Sequence, residues 1–311
     1  MPGELQFIRQ LQARFPAVFP VTTGIGDDGA VLDCSSESRF VAVTDMLLDG
    51  AHFDASKTPA TLIGRKAVAV NLSDLAAMGC RPMAAFVSVA IDARRDPERQ
   101  QEFLQQVYDG IEALAARHQF TVAGGDTNAW QAPFAINVCL LGSPFHDEPV
   151  LRSGASPGDH LLITGPLGGS LHSGRHLTFE PRLELAKWLM EHCRPSAMID
   201  ISDGLSLDAS RLAERSSVRA VIRAGDIPIH GDVADETDRN ARLNAALNDG
   251  EDFELLFAVT AEQADWLTRG EHSAPGHFTR IGELTEGSGC QLIGDDGASA
   301  DLTAQGYQHQ F

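Results

Sequence analysis

The sequence predicts a mixed α/β protein built in two halves, and three observations carry that reading. The chain has 311 residues, too long for one average domain, and is 43% hydrophobic with 22% charged residues, enough to bury two cores. Short apolar runs of strand length alternate with longer stretches of helical spacing through both halves. Near the middle the alternation is broken by "RSGASPGDH" at 152–160, rich in Gly, Ser and Pro. The expected domains are therefore 1–148 and 149–311.

In the first half, Leu5, Ile8 and Leu11 have the spacing of a short helix, followed by the loop "GIGDDG" at 24–29. Strands are expected at 30–33 and 39–44, the second ending at Asp45. "TLIGRKAVAVNLSDLAAM" at 61–78 is long enough for a helix, closed by Gly79 with Pro82 beyond it. An apolar strand at 83–91 precedes a helix at 96–118, which places Phe103, Val107, Ile111 and Leu114 on one face. Strands at 120–123, ending in "GGDT", and at 134–142 complete this half. The second half restarts with the strand "HLLITG" and a helix at 182–192. "MIDISDGLSLDASRLAERS" then passes from strand to turn to helix, and further strands are expected at 220–223 and 253–259.

Acidic residues outnumber basic ones by 43 to 24, a formal charge of −19, which repels nucleic acid and anionic membranes. Nucleotides stay possible, because a divalent cation can stand between carboxylates and phosphates. Cys34, Cys80, Cys139, Cys193 and Cys290 are scattered with no CxxC pair, against a disulfide framework or zinc knuckle. No stretch approaches membrane-spanning length and the N-terminus lacks the apolar core of a signal peptide, so the expectation is a reduced, cytoplasmic protein.

The acidic residues sit in unusual company. Asp27 and Asp28 alone would be a solvated turn. Asp45 and Asp126 follow apolar strands, Asp74 lies in an otherwise uncharged helix of small residues, and Asp200 and Asp203 flank Ser202 in "MIDISDGL". A carboxylate among apolar residues is costly unless paired, hydrogen-bonded or metal-bound, and Arg65 and Lys66 are the only cations in the Asp74 helix. Asn71, three residues before Asp74, shares its face. Oxygen-only side chains on separate loops suit Mg²⁺, which is commonly held by carboxylates together with substrate phosphates. "GGDT" and "TGPLGGS" could offer backbone N–H groups to phosphates, but neither fits a Walker-type loop. His172 and His176 lack the glutamate of a zinc-protease motif. His52 reads equally as a substrate contact or a structural histidine, and Glu251–Asp252 equally as site residues or a turn leading into a strand.

In this order, "GIGDDGAVL", "TDMLLDGAHF", "KAVAVNLSDLAAMG", "GGDT", "RSGASPGD", "IDISDGLSLD" and "GEDFELLF" resemble the thiamine-monophosphate kinases, from Gly24 to the C-terminal "GYQHQF". The resemblance implies the two-domain fold of the aminoimidazole-ribotide-synthetase-like superfamily, with the N-terminal halves of two subunits pairing into a shared β-barrel. It implies a homodimer that transfers the γ-phosphoryl group of ATP to thiamine monophosphate with several Mg²⁺ ions. By position, Asp28, Thr44, Asp45, Asp74, Asp126, Asp200 and Asp203 resemble the magnesium ligands. Gly125, Asp126, Arg152 and Ser202 resemble the nucleotide contacts, and His52, Glu251 and Tyr307 the thiamine-phosphate contacts; an aromatic face at Tyr307 suits a cationic thiazolium. Asp126, Arg152 and Asp203 are the expected catalytic set. Two alternatives stay open: another enzyme of the superfamily acting on a different small molecule, or a non-catalytic nucleotide- and Mg²⁺-binding protein.

Overall fold

A computed structural model describes residues 9, 12–13, 16–35, 38–233, 238–270, 272–302 and 305–307. The helix expected around Leu5, Ile8 and Leu11 lies outside these residues.

The first half forms a six-stranded sheet in the order β1-β2-β3-β6-β4-β5, from Val21–Thr23, Ala30–Ser35, Ser38–Leu48, Cys80–Asp92, Thr121–Trp130 and Ala135–Pro144 for β1 to β6. Neighbours are antiparallel except β4 and β5, which are parallel and joined by helix α2 (Pro97–His118), as a parallel pair requires a long crossover. Asp96 caps α2 by accepting from the backbone N–H groups of Glu98 and Arg99, each at 3.1 Å, and Pro97 occupies the first helical position.

Helix α1 (Ala60–Ala77) lies at the centre. Fourteen of its 18 residues are buried, which places it between layers rather than on a surface. It packs on β3, β4 and β6 on one side and on elements of the second half on the other. Its crossing with α2 is a backbone contact: a Cβ on Gly64 would overlap the carbonyl of Val107, and one on Gly110 that of Thr61.

The second half forms a seven-stranded sheet in the order β13-β12-β9-β11-β7-β10-β8. Its strands are His160–Ile163, Ala197–Asp200, Arg219–Arg223, Leu255–Val259, Thr279–Thr285, Gly289–Ile293 and Ser299–Asp301 for β7 to β13. Period-two alternation divides its side chains between two cores. Leu255, Phe257 and Val259 join the core of α1 and the first sheet, while Leu256 and Ala258 face the core under helix α4 (Leu205–Ser216). Helices α3 (Leu183–His192), α5 (Arg239–Asn248) and α6 (Ala261–Arg269) complete this half. Among the described residues no helix is long and apolar enough to cross a membrane, and Cys80, Cys139, Cys193 and Cys290 are free thiols.

The fold is the mixed α/β arrangement expected from the sequence, with two corrections that bear on the site. Asp45 does not end a strand: β3 continues to Leu48, so Asp45 lies mid-strand and faces inward with Val41, Val43 and Leu47. "GGDT" does not follow a strand either. It lies inside β5, an edge strand exposed along its whole length.

The α1–α2 crossing has a direct test. Gly64→Ala gains about 1 kcal/mol of helix propensity but must push two backbones apart, for an expected net loss of about 2 kcal/mol or more. Chemical denaturation measures this; unchanged stability would contradict the backbone contact.

Candidate active site

Four pieces of chain converge between the two sheets: the 24–29 loop, the middle of β3, the face of α1 that carries Asp74, and the turn after β8. The "GIGDDG" loop closes tightly because Gly26 adopts φ +115° and because a Cβ on Gly29 would collide with the Ala42 carbonyl and the Val43 side chain. Asp27 accepts from the backbone N–H of Arg152 at 3.2 Å, and Asp28 pairs with the Arg152 guanidinium through bonds of 3.0 and 2.5 Å. After β8, the buried Asp208 carboxylate accepts from the backbone N–H groups of Ser202 and Asp203, at 3.1 and 3.0 Å, and so fixes the "SDG" turn. Arg211 bridges Asp208 and Asp203 at 2.7 and 2.6 Å.

Carboxylate oxygens of Asp28, Asp74 and Asp200 lie within 4.8 Å of one another. Asp200 accepts from Ser73 at 2.6 Å, and Asp45 is hydrogen-bonded to Asp74. Burial pushes the Asp74 carboxyl well above the usual range, and the charges of Asp45, Asp200 and Asp28 push it further. Asp200 is raised by burial and by Asp28, and Asp45 chiefly by burial. Burial and the neighbouring Asp28 lift Asp27 to about 6, and burial lifts Asp208 to about 7. The cluster therefore carries more negative charge than Arg152 and Arg211 neutralise. Its donors are all hard oxygens, so the residues fit a divalent cation of the Mg²⁺ type.

Two cavities open from this cluster and share Asp45, Asp74, Asp200, Ser202 and Asp203 as a common wall. The larger, about 760 Å³, is lined by the 24–29 loop, Thr44, Arg152, Arg211 and Arg215. The smaller, about 260 Å³, is lined by His52, Leu171, Glu251, Phe253 and Tyr307. Of the residues singled out from the sequence, Asp28, Thr44, Asp45, Asp74, Arg152, Asp200, Ser202, Asp203, His52, Glu251 and Tyr307 all line one cavity or both. Thr44 points to the opposite face of β3 from Asp45, and its hydroxyl donates to Asn137 Oδ1 at 3.3 Å.

Gly125 and Asp126 are not brought here within one chain. Two strands, β6 and β4, separate β5 from β3, roughly 14 Å at ordinary strand spacing. The Asp126 carboxylate accepts from Thr127 N–H and Asn128 Nδ2 on the exposed edge. Nor does "TGPLGGS" offer its glycine N–H groups to a phosphate: Gly168 donates to Asp252 and Gly169 to Asp249, all at 3.0 Å. Asn71 shares the Asp74 side of α1 but is buried away from both cavities, bonded to Ala67 O at 3.0 Å.

Sequence reading missed Lys66, His176, Asp208 and Arg211. The i, i+3 spacing of Asp208 and Arg211 was a usable signal. His176 meets Lys66 and Glu251 only through the fold, from 110 and 75 positions away.

The chain is similar to known proteins in both sequence and fold. Residues 26–143 match the family model "AIR synthase related protein, N-terminal domain". The thiamine-monophosphate kinase of Rhodopirellula baltica is 40% identical over 92% of this chain and 90% of its own length. The chain belongs to the thiamine-monophosphate kinase family. Among solved members, the kinase from Stenotrophomonas maltophilia is 30% identical with a TM-score of 0.73, covering 95% of this chain and 96% of that one. AaThiL complexed with AMPPCP and TMP has a TM-score of 0.83 at 26% identity, covering 99% of this chain and 97% of that one.

The crowded carboxyls set a pH dependence. A carboxyl whose folded pKa is raised stabilises the metal-free fold at low pH, and that contribution is lost as pH rises through its folded value, about 6 for Asp27 and about 7 for Asp208. A bound cation replaces the protons, so Mg²⁺ is expected to raise the melting temperature more at about pH 8 than at about pH 5. Asp74→Asn is expected to raise the metal-free melting temperature at the higher pH and to shrink the Mg²⁺ increment. A melting temperature indifferent to Mg²⁺ at both pH values would contradict the site.

Proposed function

We propose that this chain transfers the γ-phosphoryl group of ATP to the phosphate of thiamine monophosphate, giving thiamine diphosphate and ADP. The observation that carries the reading is the pair of cavities on either side of one carboxylate wall, a donor chamber and an acceptor chamber. ATP occupies the larger chamber, its phosphates toward the 24–29 loop, Arg152 and Ser202. Thiamine monophosphate occupies the smaller, with its ring system against Tyr307 and Phe253 and its orientation set by His52 and Glu251. Asp28, Asp45, Asp74, Asp200 and Asp203 would hold Mg²⁺, which would supply neutralisation of the polyphosphate charge; Thr44, whose hydroxyl lies on the other face of β3, could join them only through its backbone.

The acceptor is a phosphate oxygen, already ionised at neutral pH, so the reaction needs no strong general base. The protein's part is positioning and electrostatics. Arg152 faces the donor chamber with its guanidinium braced by Asp28, which spares it from reorganising when phosphoryl charge develops. Asp203 stands in the common wall, its backbone fixed by Asp208.

The chain works as a homodimer of two-domain subunits, divided at 148/149. One face of the first sheet exposes Met46, Leu48, Phe86 and Trp130, a large apolar area for a surface. A second copy closing a barrel over this face covers it, and brings Gly125 and Asp126 of each edge strand to the other subunit's site. Sedimentation at micromolar concentration is expected to give about twice 33.4 kDa; a fully active monomer would contradict the barrel.

The reaction itself is tested by following ATP and thiamine monophosphate by ³¹P NMR. Diphosphate signals of the thiamine product are expected with Mg²⁺ and none after EDTA. Turnover without divalent metal, or ATP consumption with no thiamine diphosphate formed, would overturn the reading.

A further inference from the structure

Lys66 is fully buried in the middle of α1, where an aliphatic side chain would fill the space without the cost of desolvating an ammonium. Two of its N–H donors go to the backbone carbonyl of His52 at 2.9 Å and to Glu251 Oε2, and His176 Nδ1, which donates to the same Glu251 oxygen, lies 2.8 Å from Nζ. These partners come from three separate segments: the loop after β3, the turn at 175–177, and the "DGEDF" loop before β10. Two of them carry residues that line the acceptor chamber.

The Glu251 segment is not self-supporting. Gly250, Glu251 and Phe253 have φ of 71°, 57° and 52°, a left-handed conformation that costs a non-glycine residue roughly 1–2 kcal/mol. It is held by Glu251 N–H to Ser202 O at 2.7 Å, by Phe253 N–H to Ile201 O at 2.8 Å, and by Phe253 stacking on Phe179. At the side chain, both Lys66 and His176 converge on Oε2, His176 Nδ1 at 3.1 Å. Among the described residues Oε1 has no hydrogen-bond partner, and the side chain is 19% exposed in the chamber wall. Burial alone would raise this carboxyl, but the bonds from His176 and Lys66 hold it below the usual range.

We propose that Lys66 is the positioning residue of the acceptor chamber: its buried ammonium locks one oxygen of Glu251 and the His52 carbonyl, so that the other Glu251 oxygen is presented, ionised, to a cationic or N–H-bearing acceptor. The proposal rests on the kinase reading for the acceptor's identity. It makes Lys66 a determinant of acceptor binding and not of nucleotide binding, because none of its partners lines the donor chamber.

The test is steady-state kinetics and thermal melting on wild type, Lys66→Met, Glu251→Gln and the double variant. Lys66→Met is expected to raise KM for thiamine monophosphate about tenfold or more, the scale of a charge-assisted hydrogen bond lost in a buried site, with KM for ATP within about twofold. In the Glu251→Gln background the same substitution is expected to add little, because both act through one carboxylate. Lys66→Gln, which keeps N–H donors without the charge, gives an intermediate rise and serves should Lys66→Met not fold. Equal losses for both substrates, or effects of Lys66→Met and Glu251→Gln that multiply independently, would overturn the proposal. A wild type that forms no thiamine diphosphate fails the kinase reading; an active wild type whose Lys66 variants keep the acceptor KM fails this proposal alone.

Discussion

The structure is organised around an electrostatic conflict. Asp28, Asp45, Asp74 and Asp200 crowd into one pocket with too few cations to neutralise them, and burial removes the water that would otherwise screen them. Without metal the conflict is eased by protons, as in the hydrogen bond between Asp45 and Asp74, and by the guanidinium of Arg152 on Asp28. Such an arrangement is poor for stability and well suited to gripping divalent cations that arrive with a polyphosphate. Asp208 and Arg211 then become intelligible: they hold the turn that carries Ser202 and Asp203 against repulsion from its neighbours.

Helix α1 is where the fold meets this constraint. Within three turns it carries Lys66 toward the acceptor loops, Ser73 toward Asp200 and Asp74 into the common wall. Its small residues let it lie between the two halves, and the glycine crossing at Gly64 and Gly110 lets α2 approach it at backbone distance. A helix buried on nearly every side cannot reorient, so the carboxylate and the ammonium it carries are pre-positioned by core packing rather than by loops. The two sheets supply the remaining walls from opposite directions, which is how one cluster comes to face two chambers.

The parts of this legible in the sequence were those written in local pattern. The strands around Ala42, Val87 and Leu162, the end of α1 at Gly79, and the carboxylates stranded among apolar residues all carry their signal within a dozen positions. Strand ends were less legible. Asp45 and "GGDT" look like loop chemistry by composition, yet ladder pairing carries β3 and β5 through them. The helices at 239–248 and 261–269 and the strands beyond 279 are short and half polar, so their periodicity is weak, although the Thr260–Gln263 capping box and Gly270 do mark the ends of α6. Least legible was the Lys66–His176–Glu251 contact, whose members lie up to 185 positions apart. Lys66 read as an ordinary helical cation, and His176 as half of a failed zinc motif. Gly125 and Asp126 mark a different boundary: within one chain they lie on the exposed edge strand β5, away from the carboxylate cluster.

The central claim is that donor and acceptor meet directly across the carboxylate wall, with no side chain receiving the phosphoryl group on the way. ATP made chiral at the γ-phosphorus with three oxygen isotopes tests this most directly, by the configuration found in the terminal phosphate of thiamine diphosphate. A single in-line displacement between the two chambers predicts inversion. Retention would require two displacements and a phosphorylated residue between them, and would contradict the account.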